Sequence, residues 1–226
     1  MNFSFLPKYW PYFLWGARNT FLLAIFTVFF GVIIGIIVAL FRLSKNKIFS
    51  FLASAYIEFI RGTPLLVQIF IVYFGIDAII RFPKIMIWSI DMARFIPGVM
   101  ALSINSGAYV AEVVRAGIQA VDKGQTEAAR SLGMPQFMCM WNIILPQAIR
   151  NILPALGNEF VTVIKESSIV SVISVSELTY NTSIVRGSTF IPLEPLYVTA
   201  VIYFIMTFTT SKILSYFERR MNKGND

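Results

Sequence analysis

Glu159, Thr162 and Glu166 recur at i, i+3 and i+7, and Asn158, Thr162 and Lys165 at i, i+4 and i+7. On a helix these sets occupy one face and an overlapping one, so carboxylates and an ammonium can meet in one cavity. The residues around them are largely apolar: after Pro154 the chain runs ALGNEFVTVIKESSIVSVISVS to Ser176. Starting a span after Glu166 leaves too few residues before Glu177 to cross a bilayer, which takes about 20. Either the charges enter the membrane or the chain dips in and out. A charge at mid-bilayer costs about 2.5–3.5 kcal/mol on the insertion scale. Glu159, Lys165 and Glu166 are therefore expected to face other helices or a water-filled path, not lipid. Two readings stand side by side: a path for a charged solute, and an ion-pair network or cytoplasmic gate between helices. Gln68 and Asn105, polar side chains in otherwise apolar runs, are either glue between helices or solute contacts.

Other chemistries are excluded by count. One cysteine, Cys139, and no histidine rule out an internal disulfide, a Cys/His metal cluster and Cys-His or Ser-His catalysis. No G-x-x-x-x-G-K-[ST] occurs, so the chain has no Walker cradle for nucleotide phosphates. No repeated hydropathy unit points to an inverted-repeat carrier. No catalytic residue and no metal site are assigned.

The elements that position these residues follow from composition. The 226 residues are 57% hydrophobic and 14% charged, against about a quarter charged in a soluble domain. The net charge of +7 fits a membrane protein with basic inner loops and not a nucleic-acid binder. Spans are expected at about 19–41, 64–80, 95–114, 155–176 and 195–217 in a single transmembrane domain, with a cytoplasmic loop at 115–154. The first is too long for a signal-peptide core and lacks a cleavage pattern. Gly31 and Gly35 in it form a G-x-x-x-G, which lets helices approach or is incidental. Before the second, an interfacial helix over about Phe51–Phe59 and a break at Arg61-Gly62-Thr63-Pro64 are expected. Arg61 either anchors that break on carbonyls or lipid phosphate, or contacts Glu58. Glu112 and Arg115 are spaced to pair. With the N-terminus outside, eleven Lys and Arg fall in inner segments and six outside, Arg61 and Lys165 being border cases. The positive-inside rule then gives N-out, C-in. Tyr9, Trp10, Tyr12 and Trp15 suit an outer aromatic belt.

The inner loop has no run long enough to cross a membrane, yet it is patterned. Glu127 to Gly133 suggests a short helix closed by a glycine that tolerates φ > 0. An amphipathic segment follows to Ile152. Here Glu127, Ala128, Ala129, Gly133, Ile143, Leu145 and Pro146 fit E-A-A-x3-G-x9-I-x-L-P. This resembles the EAA signature of ABC importer permeases, at every fixed position. A plain solvated amphipathic loop is the competing reading. Glu58-Phe-Ile-Arg-Gly-Thr-Pro-Leu-Leu-Val-Gln68, Gly107-Ala-Tyr-Val-Ala-Glu-Val-Val-Arg-Ala-Gly117 and Leu156-Gly-Asn-Glu-Phe160 look like the polar amino-acid subfamily. Lys165-Glu166-Ser167-Ser168 stands where that subfamily is expected to have Lys-Asp-Thr-Ser.

The resemblance implies an all-α membrane protein of five transmembrane helices with the type I ABC importer permease fold. It implies a bacterial plasma (inner) membrane location and import of polar amino acids, or of another small polar solute on the same architecture. The EAA loop becomes a coupling helix seated in a groove of a cytoplasmic ATPase, with Glu127, Ala128, Ala129 and Gly133 at the contact. Glu127 either meets a partner arginine or, as a helix-N-terminal acid, satisfies the dipole. Ala128 and Ala129 admit another surface or supply plain helix propensity. Two permease chains, identical or not, join two ATPases that hold ATP and Mg, and this chain carries no cofactor. An extracytoplasmic binding protein delivers the solute, and the short N-terminal tail suggests a separate polypeptide for it. A zwitterion leaving water needs both of its charges compensated. Glu159 is expected near the substrate amine and Lys165 or Asn105 near its carboxylate, with Gln68, Thr162 and Glu166 along the same path.

Overall fold

The stripe of small residues on the first long helix explains how the bundle closes. In this computed structural model, α1 (Leu6–Arg42) buries Gly16, Thr20, Ala24, Thr27, Gly31, Gly35 and Ala39 along one face. Lipid tails give apolar helices no hydrophobic reason to associate, so close backbone approach and hydrogen bonds must do it. The partner is α4 (Met92–Gln119), with which α1 makes its most extensive contact. A Cβ on Gly35 would lie 2.5 Å from Val110 Cγ1, one on Gly31 2.9 Å from Ser106 Oγ, and one on Gly107 2.6 Å from Ile34 Cγ2. The G-x-x-x-G is therefore a true crossing point. The structure describes residues 1–80, 82, 84–88 and 90–222; Arg81 and Lys223, which entered the charge count, lie outside them.

The break before Pro64 is real and sharp. The chain bends by 111° between α2 (Lys47–Gly62) and α3 (Leu65–Ile79). Proline disfavours helical geometry in the residue before it, and Thr63 is extended at φ −119°, ψ 149°. Pro64 itself caps α3 rather than joining its first turn. A two-stranded hairpin, β1 (Met86–Ile87) and β2 (Ile90–Asp91), leads into α4, where Asp91 accepts a hydrogen bond from the Ala93 N–H.

From Gln136 to Ile173 the chain is one uninterrupted helical rod. It comprises α6 (Gln136–Cys139), a π segment (Met140–Ile144), α7 (Leu145–Glu166) and a 3-10 segment (Ser167–Ile173). Pro154, expected to precede a span, lies inside α7; membrane helices tolerate proline where neighbours re-satisfy the freed carbonyl. α5 (Lys123–Ser131) stands before the rod; α8 (Leu178–Thr189) and α9 (Glu194–Asn222) follow it. Among the described residues, α1 and α9 are each long and apolar enough to cross a membrane, and the bent α2–α3 pair makes a third candidate. Exposed Phe29, Leu40, Phe74 and Phe204 are the expected surface of a protein dissolved in lipid.

Candidate functional site

Four consecutive residues in the middle of α4 each reach a different helix. Ser103 Oγ donates to the Thr27 carbonyl of α1 at 3.3 Å. The Ile104 carbonyl accepts from the Tyr56 hydroxyl of α2. Asn105 Nδ2 donates to Gln68 Oε1 of α3 at 2.8 Å. Ser106 Oγ donates to Glu159 Oε1 of α7 at 2.7 Å. Helical periodicity aims successive residues about 100° apart, so one turn of α4 serves four neighbours.

Gln68 shows how this centre is fixed. Its Nε2 donates to the Ile60 carbonyl at 2.7 Å, the Thr63 carbonyl at 3.1 Å and the Thr63 hydroxyl at 2.9 Å. These satisfy carbonyls that the end of α2 leaves open. With its amide nitrogen so committed, Gln68 turns its oxygen to Asn105. The pair closes the α2–α3 bend and ties it to α4.

The rod contributes Glu159, Thr162, Lys165 and Glu166. Glu159 and Glu166 are half-buried, and Lys165 is exposed. Among the described residues, neither glutamate forms an ion pair. Among the described residues, Glu159 meets Ser106 and not Lys165, and Thr162 makes no side-chain hydrogen bond. The structure thus brings together Gln68 with Asn105 and Glu159 with Ser106, and leaves Lys165 on the exposed side of α7, beside Glu166.

The inner loop is built from the short helix upward. The Asp122 side chain caps α5 by accepting from the Gly124 N–H at 2.6 Å. Glu127 is the fifth residue of α5, past the first turn, so dipole compensation does not account for it. Glu127 and Ala128 face out. Ala129 is 3% exposed and packs on Cys139 and Ile144, so the two alanines have opposite roles. Gly133 adopts φ +79°, and the Met134 N–H returns to the Ala129 carbonyl at 3.1 Å. That is the closure expected of a glycine C-cap. α5 is thereby seated on the π segment at the foot of the rod.

A third polar cluster, at the outer end, was not found from sequence. Glu177 is fully buried and caps α8, accepting from the N–H groups of Thr179 and Tyr180. The Tyr203 hydroxyl of α9 donates to it at 2.9 Å. Burial pushes its carboxyl up to about 7, against these donors, which pull the other way. Thr182 and Thr199 join α8 to α9 nearby, and the Leu178 N–H reaches Thr20 of α1. The only signal in the sequence was an acid just before a short helical stretch, a pattern too common to single out.

Comparison with known proteins supplies context for this arrangement. Residues 31–223 match the family described as binding-protein-dependent transport system inner membrane component. The chain is 39% identical over 222 residues to a putative glutamine transport system permease protein of Rickettsia felis, covering 97% of this chain and 98% of that one. It is 38% identical over 226 residues to the arginine transport system permease protein ArtQ of Bacillus subtilis, covering 100% and 99%. It is also 38% identical to the nopaline transport system permease protein NocM of Agrobacterium fabrum, covering 98% and 92%. Among solved structures, a chain of an amino acid ABC transporter crystallised with histidines is 50% identical, with a TM-score of 0.88 over 97% of this chain and 100% of that one. The inward-facing MetNI methionine ABC transporter shares the fold at 15% identity, with a TM-score of 0.78 over 97% and 99%.

Proposed function

The chain belongs to the family of binding-protein-dependent transport system inner membrane components, and from that premise we propose that it forms the path by which polar amino acids enter the cell. It is an ABC importer permease of the type I fold, a multi-pass protein of the inner membrane, and ATP is hydrolysed by a separate subunit. The relatives named for glutamine and arginine transport support amino acids as the cargo.

The path follows the contact between α4 and α7. The observation that carries it is the Glu159 carboxylate, held at 2.7 Å by Ser106 and without an ion-pair partner among the described residues. An uncompensated carboxylate in a membrane interior suits a cationic group, and the ammonium of an amino acid is one. Asn105 lies one residue from Ser106 on α4; Thr162 and Glu166 continue the Glu159 face of α7. Gln68 acts through Asn105. Lys165, at the exposed side, takes the solute carboxylate only if α7 turns.

Coupling falls to α5. Glu127, Ala128 and Gly133 offer the outward surface on which the ATPase, loaded with ATP and Mg, seats, while Ala129 holds α5 to the rod. The working assembly has a second permease chain, two ATPases and an external binding protein. A second cargo reading, another small polar solute, is favoured by the relative named for nopaline.

The test is ATPase activity and uptake of the chain reconstituted with its ATPase and binding protein, across a panel of amino acids. Stimulation by one class names the cargo; assembly without stimulation by any amino acid turns the reading to another solute. Glu159→Gln is expected to lower turnover by about tenfold, roughly 1.4 kcal/mol. Unchanged affinity and turnover in that variant would remove Glu159 from the path.

A further inference from the structure

Toward the inner end of α4, Arg42 of α1 and Arg115 hold the carboxylate of Glu112, and Arg61 of α2 stands over the Tyr109 ring one turn away. Arg42, the last residue of α1, pairs through Nη1 with Glu112 Oε1. Arg115 pairs through Nη2 with Glu112 Oε2 at 2.7 Å and gives Nη1 to Gln119 at 2.6 Å. Arg61, near the end of α2, adds its field to the same carboxylate. Both oxygens of Glu112 are occupied, and the cluster keeps a surplus of positive charge. Glu58, a sequence-stretch neighbour of Arg61, forms no ion pair among the described residues.

Arg61 is the open member. Its Cζ lies 5.4 Å from the ring centroid of Tyr109, and it donates no hydrogen bond among the described residues. A guanidinium stacked on an aromatic face keeps its edge of N–H donors available for a bidentate oxyanion. Among the described residues, Arg42 likewise spends only Nη1.

α2 places this cluster at a particular depth. Ile48, Leu52 and Phe59 form an exposed apolar arc; Lys47, Ser54, Glu58 and Arg61 form a polar one; Ala53, Ile57 and Ile60 are buried. A helix with buried, apolar-exposed and polar arcs is suited to lie in a membrane interface. The basic inner segments set the leaflet, since anionic lipid there draws juxtamembrane arginine and lysine.

We propose that Arg61, Arg42 and the Arg115–Glu112 pair form a site for the phosphate of an anionic phospholipid of the inner leaflet. The stacked Arg61 supplies the bidentate edge, Arg42 supplies a second donor, and Glu112 holds Arg42 and Arg115 in place.

The test uses the permease assembled with its ATPase, in nanodiscs of phosphatidylcholine with and without phosphatidylglycerol. Native mass spectrometry reads retained phosphatidylglycerol, and ATPase activity reads its effect. Arg61→Gln is expected to lower retention by about tenfold and abolish phosphatidylglycerol stimulation, and Arg61→Lys to restore it only in part, because an ammonium lacks the planar fork. Tyr109→Leu, which removes the stacking platform but no charge, is expected to fall between wild type and Arg61→Gln. Melting in neutral detergent reports the fold of each variant. Equal retention by wild type and a folded Arg61→Gln overturns the proposal. So does reproduction of the stimulation by millimolar inorganic phosphate in purely neutral nanodiscs, which would assign the same oxyanion chemistry to a soluble ligand.

Discussion

The two ends of the Gln136–Ile173 rod depart from the α-helix in opposite senses. At the inner end, Met140–Ile144 widens to a π turn; Phe137 and Trp141 on this stretch are 75% and 55% exposed. At the outer end, Ser167–Ile173 tightens to a 3-10 helix, and Ser167, Val170 and Ile173 are buried. Runs of 3-10 helix beyond three or four residues are uncommon because their hydrogen bonds are poorer. The outer end is therefore held in its tighter form by packing from α1, α3, α4 and α8. The inner end is met by α5 and by Ile118 and Val121 at the end of α4, and its wide turn keeps Cys139 and Ile144 both against Ala129. One rod thus has a clamped end and a seat, with the carboxylate of Glu159 between them.

That contrast can be broken by experiment. The largest effect belongs to the clamped end: Ile173→Ala is expected to cost about 2–5 kcal/mol, as large-to-small changes in a packed core do. Trp141→Ala at the seat is expected to stay within about 0.5 kcal/mol. Thermal melting of both variants reads this, and equal losses would end the distinction. Next is Gly133→Val. A β-branched residue at φ +79° is strained, so α5 loses its closure and ATPase stimulation by substrate drops by about tenfold, roughly 1.4 kcal/mol. The permease itself is expected to melt within a few degrees of wild type; a large drop in melting temperature would make the loop part of the core. A separate effect lies beyond the clamped end. Burial raises Glu177 from 4.5 to about 7, so its protonated form is favoured in the folded chain. Its contribution to stability is complete below pH 4.5 and is lost as pH rises through about 7. Melting from acid to neutral pH is expected to show this decline in wild type and a flatter slope in Glu177→Gln. Parallel slopes would show that the α8 cap does not titrate there.

The family and the fold were legible because the EAA positions Glu127, Ala128, Ala129, Gly133, Ile143, Leu145 and Pro146 constrain one another at fixed spacing. The bend at Thr63-Pro64 was legible because proline acts on its immediate neighbour. Gln68 and Asn105 were visible as polar residues out of place, but their bond joins α3 to α4 and no local pattern encodes a partner that far along the chain. The same limit hid Arg42, which joins the Glu112–Arg115 pair from α1, and Ser106, whose small hydroxyl fixes Glu159. The π and 3-10 segments were illegible in principle: Met140–Ile144 and Ser167–Ile173 have ordinary helical compositions, and the packing around them selects the turn. Pro154 misled because a proline reads as a boundary in water, whereas here it sits inside α7.

The seat of α5 at Ile144 and the carboxylate of Glu159 are fixed to the same rod, about 22 Å apart at the rise of an α-helix. The rod is therefore a lever with its foot in the cytoplasm. A tilt of about 10° about its clamped outer end carries Glu159 sideways by about 4 Å, more than the slack in a hydrogen bond. A push on the seat is enough to part Glu159 from Ser106, and the gearing between the two sites is set by the number of residues between them.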